Sequence, residues 1–373
     1  MHIDNIELTR CQTLLVALLR RGIWRKPTDE MLFSDVDVQT WTEVVELASK
    51  QGVLALAIDG LHGLPNGCKP PREILIKWTL GVQNVEDRYH RQKDALKTLA
   101  QFFAKRGVPT LGLKGIGLSL MYPTPCHREG GDIDIYLWGD YEKGNQLAME
   151  AGEDVDCSSF KHSSFYCKGI PVENHQSFID VKYRKSNAKL EEDLLRILKI
   201  EGTVDADDFA AQFPRAMFNA VFLLKHAQTH FLESGIALRF LCDWALLLHH
   251  NPSLVEEPTV TEVWTTNNLY PFANAFSRLA VEIFHPPGIS LEMFESNAAL
   301  ERLIWHDIVQ YEKRDHIRQD ILRKKIASKF RTAVILLSEI WKYKTTGGLK
   351  IYKDELLGRI LLNLHLLFGR TNK

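Results

Sequence analysis

The sequence lacks what several architectures require. No stretch approaches the roughly 20 consecutive apolar residues that cross a bilayer. A short apolar run, Leu14 to Leu19, is followed by no small-residue cleavage site. The six cysteines (Cys11, Cys68, Cys126, Cys157, Cys167 and Cys242) include no C-x-x-C pair, which excludes a zinc ribbon and a dense disulfide framework. Neither sign of charge is in excess: 46 Lys and Arg against 47 Asp and Glu give a net charge of -1. A protein that lives on nucleic-acid phosphates usually shows a basic surplus, so nucleic acid is open as a partner only through a local patch. A Walker A run is missing, and Gly115-Ile116-Gly117 lacks the third glycine of the dinucleotide fingerprint. Repeats and low-complexity tracts are missing too. These absences point to a cytoplasmic protein with free thiols and no membrane partner.

What is present is ordinary in bulk and uneven in pattern. The 373 residues are 45% hydrophobic and 25% charged, enough for two cores and too apolar for disorder. Residues 1–106 read as an N-terminal helical region, with Leu14, Leu15, Leu18 and Leu19 and then Trp41, Val44, Val45 and Ala48 at helical spacing. A long helix is expected over Arg72–Lys105, broken or frayed near Gly81 and stopped by Gly107-Val108-Pro109. Residues 107–200 change rhythm. Period-two runs predict strands over Pro109–Leu113, Asp132–Trp138, Ser163–Cys167, Val172–Ser177 and Phe178–Tyr183, with helices over Gly115–Met121 and Tyr141–Ala151. Residues 201–373 return to helical spacing, ending in expected helices over Ile317–Trp341 and Asp354–Phe368. The expected fold class is α+β: a small mixed sheet with helices, embedded in a larger all-helical N- and C-terminal body.

The chemistry concentrates around Asp132-Ile133-Asp134. On a strand, Asp132 and Asp134 point to one face and Ile133 and Ile135 to the other. Two carboxylates held about 7 Å apart or less repel, and a divalent cation relieves that cost. Hard oxygen ligands suit Mg²⁺ or Mn²⁺. Gly130-Gly131 just before the pair leaves room for a ligand. Upstream, Leu113-Lys114-Gly115 reads as a strand-to-helix turn whose N–H groups and lysine would face an anion.

These pieces together resemble a nucleotidyltransferase of the DNA polymerase β-like superfamily, and more closely its uncharacterised NTP transferase 5 type. The resemblance rests on Lys114-Gly115 with Leu118 and Leu120, Tyr122-Pro123, Arg128-x-x-Gly131-Asp132-Ile133-Asp134, Lys161-His162 and Val172-Glu173-Asn174-His175. Downstream it continues in His226-x-x-x-His230 and in Arg239 through Asp243. It implies a mixed sheet bearing three carboxylates that hold Mg²⁺ (or Mn²⁺) and act in catalysis: Asp132, Asp134 and Glu173, with Asp180 competing for the third place. It implies a nucleoside triphosphate substrate held by Lys114, Gly115, Ser119, Arg128, His162, His175 and Arg239. The superfamily's Gly-Ser turn is departed from, since Ile116 follows Gly115, so Lys114 or Ser119 would have to replace the serine. The implied reaction moves an NMP group from an NTP to a hydroxyl of an unidentified acceptor (protein, RNA or small molecule).

Two other functions compete: a D-x-D glycosyltransferase, which needs a Rossmann-like half before the motif, and a non-catalytic nucleotide-binding module with a relic site. Among the remaining residues, His226 and His230 at i, i+4 suit packing toward the cleft better than zinc, for want of a third ligand. Arg239 and Asp243 at the same spacing suggest a surface ion pair. Lys313–Arg331 is the one basic stretch, where a solvated helix face is the simplest account.

Overall fold

A computed structural model describes residues 2–3, 6–182 and 185–323. The first strands, β1 (His2–Ile3) and β2 (Ile6–Glu7), form a small hairpin. Helices α1 (Arg10–Trp24), α2 (Val38–Lys50), α3 (Leu54–Asp59) and α4 (Arg72–Ala104) follow. Side-chain caps explain two of their starts: Thr9 and Gln12 form a capping box at α1, and Asp37 accepts from the Thr40 N–H at α2. The expected break at Gly81 does not occur. Helix α4 runs through it, and the glycine serves close packing instead: a side chain there would collide with Leu54, whose carbonyl also accepts from the Trp78 indole. Gly107, at φ +73°, then ends the helical path.

The central unit carries β3 (Leu111–Leu113), α5 (Gly115–Ser119), β4 (Ile133–Tyr136), α6 (Tyr141–Glu150), β5 (His162–Cys167), β6 (Ile170–His175), α7 (Lys185–Glu201), β7 (Thr203–Ala206) and β8 (Ala211–Pro214). Six strands form one mixed sheet in the order β5-β6-β4-β3-β8-β7, with β4 and β6 parallel. The α+β expectation holds. Two details differ. Of the strand expected over Phe178–Tyr183, the described residues Phe178–Lys182 form none, because the N–H groups of Phe178 and Ile179 donate to the Glu191 carboxylate at 2.9 and 3.1 Å instead of to a ladder. The sheet also runs on to Pro214, past the expected end of the core at residue 200.

One face of the sheet is apolar. Ile133, Ile135, Val172 and Phe165 pack there with Leu96, Leu99 and Phe103 of α4 and Ala148 of α6. The other face meets a helical body built from α8 (Ala216–Glu233), α9 (Leu238–His250), α10 (Pro258–Thr266), α11 (Tyr270–Phe284) and α12 (Ala298–Arg323). Helix α10 escaped the sequence pattern. The N-terminal helices share one core with this body, from Leu14 and Leu18 to Phe276 and Ile308. Polar contacts stitch the two together: the Trp24 indole donates to the Phe284 carbonyl at 2.6 Å, and Gln51 bridges the Ile308 carbonyl and the Leu238 N–H. Among the described residues no helix is long and apolar enough to cross a membrane. The side chains from residue 311 onward lie outside the description, and with them those of the basic stretch Lys313–Arg331; of the helix expected over Ile317–Trp341 only the start, to Arg323, is described, as the end of α12, and the one over Asp354–Phe368 lies outside.

The β3–α5 segment is seated by a ring. A Cβ placed on Gly112 or on Gly117 would come within 2.6 Å of Phe213 of β8. Overfilling such a contact costs about 1–3 kcal/mol. Gly112→Ala is therefore expected to lower unfolding stability by about that amount in urea titration.

Candidate active site

The polar face of the sheet is built by register. β4 and β6 run side by side with Asp134 opposite Glu173 and Tyr136 opposite His175. Period two puts Asp132 on the face of Asp134, and His175 on that of Glu173. One oxygen from each of Asp132, Asp134 and Glu173 lies within 4.8 Å of the others. The backbone before this triad is held from behind: Arg88 of α4 donates to the Gly131 carbonyl at 2.8 Å, and Gln92 reaches the Asp132 carbonyl at 3.4 Å.

Cations balance the triad. Lys114 sits at φ +49°, a left-handed position that favours glycine, followed by Gly115 at φ +39°. That sharp turn brings Lys114 Nζ to 2.9 Å from Asp134 Oδ1. His175 Nε2 reaches the same oxygen at 2.8 Å and lies 3.5 Å from Glu173 Oε2, while its Nδ1 faces the Ser177 carbonyl at 3.2 Å. Burial opposes the charge of Asp134, but Lys114 and His175 outweigh it and hold the carboxyl well below the usual range. Burial also opposes ionisation of Glu173, and the His175 hydrogen bond leaves it lowered on balance. Asp132 is pushed up, first by burial and then by Asp134. An additional cation beside Asp132 would remove that strain, so this oxygen-only donor set fits Mg²⁺ or Mn²⁺. A second trio, His162, Glu173 and His175, overlaps it.

A cleft opens over Asp132 and Asp134, lined also by Lys114, Gly115, Arg128 and Arg239. Arg128 is buried and doubly bonded to Asp243, Nε to Oδ1 at 2.9 Å and Nη2 to Oδ2 at 2.8 Å. The Tyr122 hydroxyl donates to the same carboxylate at 2.7 Å. This corrects the expected Arg239–Asp243 surface pair: Asp243 is buried, and Arg239 instead donates to the Glu129 carbonyl at 2.8 Å. Ser119 is also corrected as a phosphate contact. It is 1% exposed, and its hydroxyl donates to the Ile116 carbonyl at 2.6 Å, away from the cleft.

Asp180 stays outside the triad, since its strand does not form; its Oδ1 accepts from the Lys182 N–H. His162 stands beside Glu173, Nδ1 to Oε2 at 3.4 Å. His226 and His230 pack ring to ring at 4.5 Å, and among the described residues neither joins a group of three metal-ligating side chains. Burial and the nearby Lys114 hold His226 well below the ordinary histidine value, so it faces the cleft neutral.

The sequence left one residue unremarked. His127 places Nδ1 2.8 Å from Asp59 of α3 and Nε2 2.8 Å from Glu86 of α4. It clamps the loop that delivers Arg128 onto two helices. Only its position one residue before the arginine could have drawn notice.

With this geometry in view, the comparison with known families is decisive. Residues 37–285 match the uncharacterised nucleotidyltransferase family NTP transferase 5. The chain belongs to that family. No curated protein and no solved structure matches it. The matched span holds the triad, Lys114, both cleft arginines and the helical wall opposite them.

Two outcomes test the frame of the site. Asp243→Ala strands the buried Arg128 guanidinium and should cost about 3–5 kcal/mol of unfolding free energy, read by urea denaturation. For His127, burial works against the charge but Asp59 and Glu86 outweigh it, so its value is raised in the folded state. Its contribution is therefore complete below the ordinary histidine value of about 6.5 and is lost as pH rises through the higher folded one. The stability gap between the natural protein and His127→Gln should be widest below about pH 6.5 and shrink as pH rises above it in urea titrations.

Proposed function

We propose that the protein is a Mg²⁺-dependent nucleotidyltransferase that moves an NMP group from an NTP to a hydroxyl of its acceptor. The observation that carries this reading is the convergence of Asp132, Asp134 and Glu173 within 4.8 Å, with the two aspartates on the wall of a cationic cleft. A bound divalent ion supplies charge neutralisation at the attacking and leaving oxygens. The chain's own groups do the rest. Lys114 and Arg239 would face the phosphates, and Arg128 would do so from a position locked by Asp243. Glu173, the carboxylate beside His162, would accept the proton of the attacking hydroxyl. Mn²⁺ would serve the same oxygen donors.

The glycosyltransferase alternative loses support from residues 10–104, which form α1 to α4 rather than a Rossmann-like half. The relic-site alternative predicts no turnover. Asp132→Asn keeps the shape and removes the charge, and loss of several kcal/mol of transition-state stabilisation corresponds to about a thousandfold fall in rate. Transfer from α-labelled NTP should fall by that much while the urea midpoint holds. Unchanged turnover in the variant would sink the assignment, and absence of Mg²⁺-dependent NTP binding in the natural protein by calorimetry would favour the relic.

A further inference from the structure

We infer that a second cavity beside the carboxylates is the acceptor site, and that it takes a small hydroxyl-bearing molecule. The inference rests on the nucleotidyl-transfer reading above. Two hollows flank the triad. The cleft already described carries Asp132, Asp134 and three cationic side chains, the lining an anionic triphosphate needs. The other hollow measures about 490 Å³ and is lined by Lys161, His162, Phe222, His226 and Thr229, among others. His226 borders both.

Glu173 connects them. Its carboxylate reaches the two aspartates on one side, and on the other lies 3.4 Å from His162 Nδ1. His162 lines the second hollow, so a hydroxyl seated there would stand beside the His162–Glu173 pair. In the transfer, the hydroxyl oxygen forms a bond to the α-phosphorus. The bond to the bridging oxygen of pyrophosphate breaks, the electron pair leaves with pyrophosphate, and the proton passes to Glu173.

The walls set the class of acceptor. Phe178, Ile179 and Phe222 make an apolar floor, while Lys161, Asp180 and Glu233 bring both signs of charge. Lys225 adds a second cation against Glu233 and Asp180, so the two signs balance and the hollow lacks the cationic surplus that a nucleic-acid end calls for. The volume falls within the roughly 300–1,000 Å³ of sites that enclose compact organic ligands. Apolar floor, balanced charge and size together suit a compact amphipathic alcohol.

The test incubates the full chain with NTPs labelled on the α-phosphate, Mg²⁺ and a cell extract, then separates a small-molecule filtrate from a macromolecular retentate. A new labelled product is expected in the filtrate. Thr229→Trp fills the hollow from α8, and Ser158→Trp fills it from an exposed loop on the opposite rim. Each should cut that product about a hundredfold, as misplacement of a reacting group does. Calorimetric binding of a non-hydrolysable NTP with Mg²⁺ should stay unchanged in both, which also shows that they are folded. Label confined to the retentate, a filtrate product that both variants leave intact, or no product despite NTP binding overturns the inference and spares the nucleotide site. Failure of the natural protein to bind NTP overturns the parent reading instead.

Discussion

Parallel pairing of β4 with β6 is the constraint on which the site depends. It sets Asp134 beside Glu173 on one face, and period two adds Asp132 to the same face. Three acidic groups so close on two interior strands would cost stability if left uncompensated. The fold answers with Lys114, delivered by a strained turn, and His175, fixed by the register itself. Both meet Asp134 on one oxygen, so the most buried carboxylate is satisfied by protein alone. Asp132, nearer the opening, is not. The imbalance gives the site a direction: charge is settled at the floor and left unsettled at the rim, where the proposed cation would find its place.

The helical body does for the cleft what the register does for the triad. Arg128 belongs to the loop before β4, yet its position is decided by Asp243 of α9 and checked by Tyr122. One residue earlier, His127 ties the same loop to α3 and α4. The arginine is thus fixed from two sides by elements far apart in sequence. Little reorganisation would then be left for the phosphate contact proposed for it.

Much of this was legible in the sequence, for identifiable reasons. The Asp132/Asp134 pair and the basic turn were visible because strand alternation is strict in Asp132–Trp138 and because Lys114-Gly115 stands at a strand end; Glu173 came only from the family resemblance, with Asp180 competing. The strands β7 and β8 were missed because Asp205, Asp207 and Asp208 interrupt the apolar rhythm around Phe209 and Phe213. Phe178–Tyr183 looked like a strand because the pattern cannot see Glu191 capturing its amides from another element. Arg239 and Asp243 share a helix turn, so local spacing suggested a pair. The true partner of Asp243 lies more than a hundred residues away, beyond the reach of any local rule.

The shared core of the first and last described helices has a consequence for how the molecule is made. Helix α1 is closed by groups on α11, with Arg20 donating to the Ile283 carbonyl and Trp24 to that of Phe284. Such contacts form late, since their loop-closure entropy must be met before they contribute. On the ribosome, α2 and α3 follow α1 closely and cover much of its apolar side, while the seam to α11 waits for nearly the whole matched span. Nascent chains would therefore spend that interval with the Trp24 indole still short of the carbonyl it finally meets.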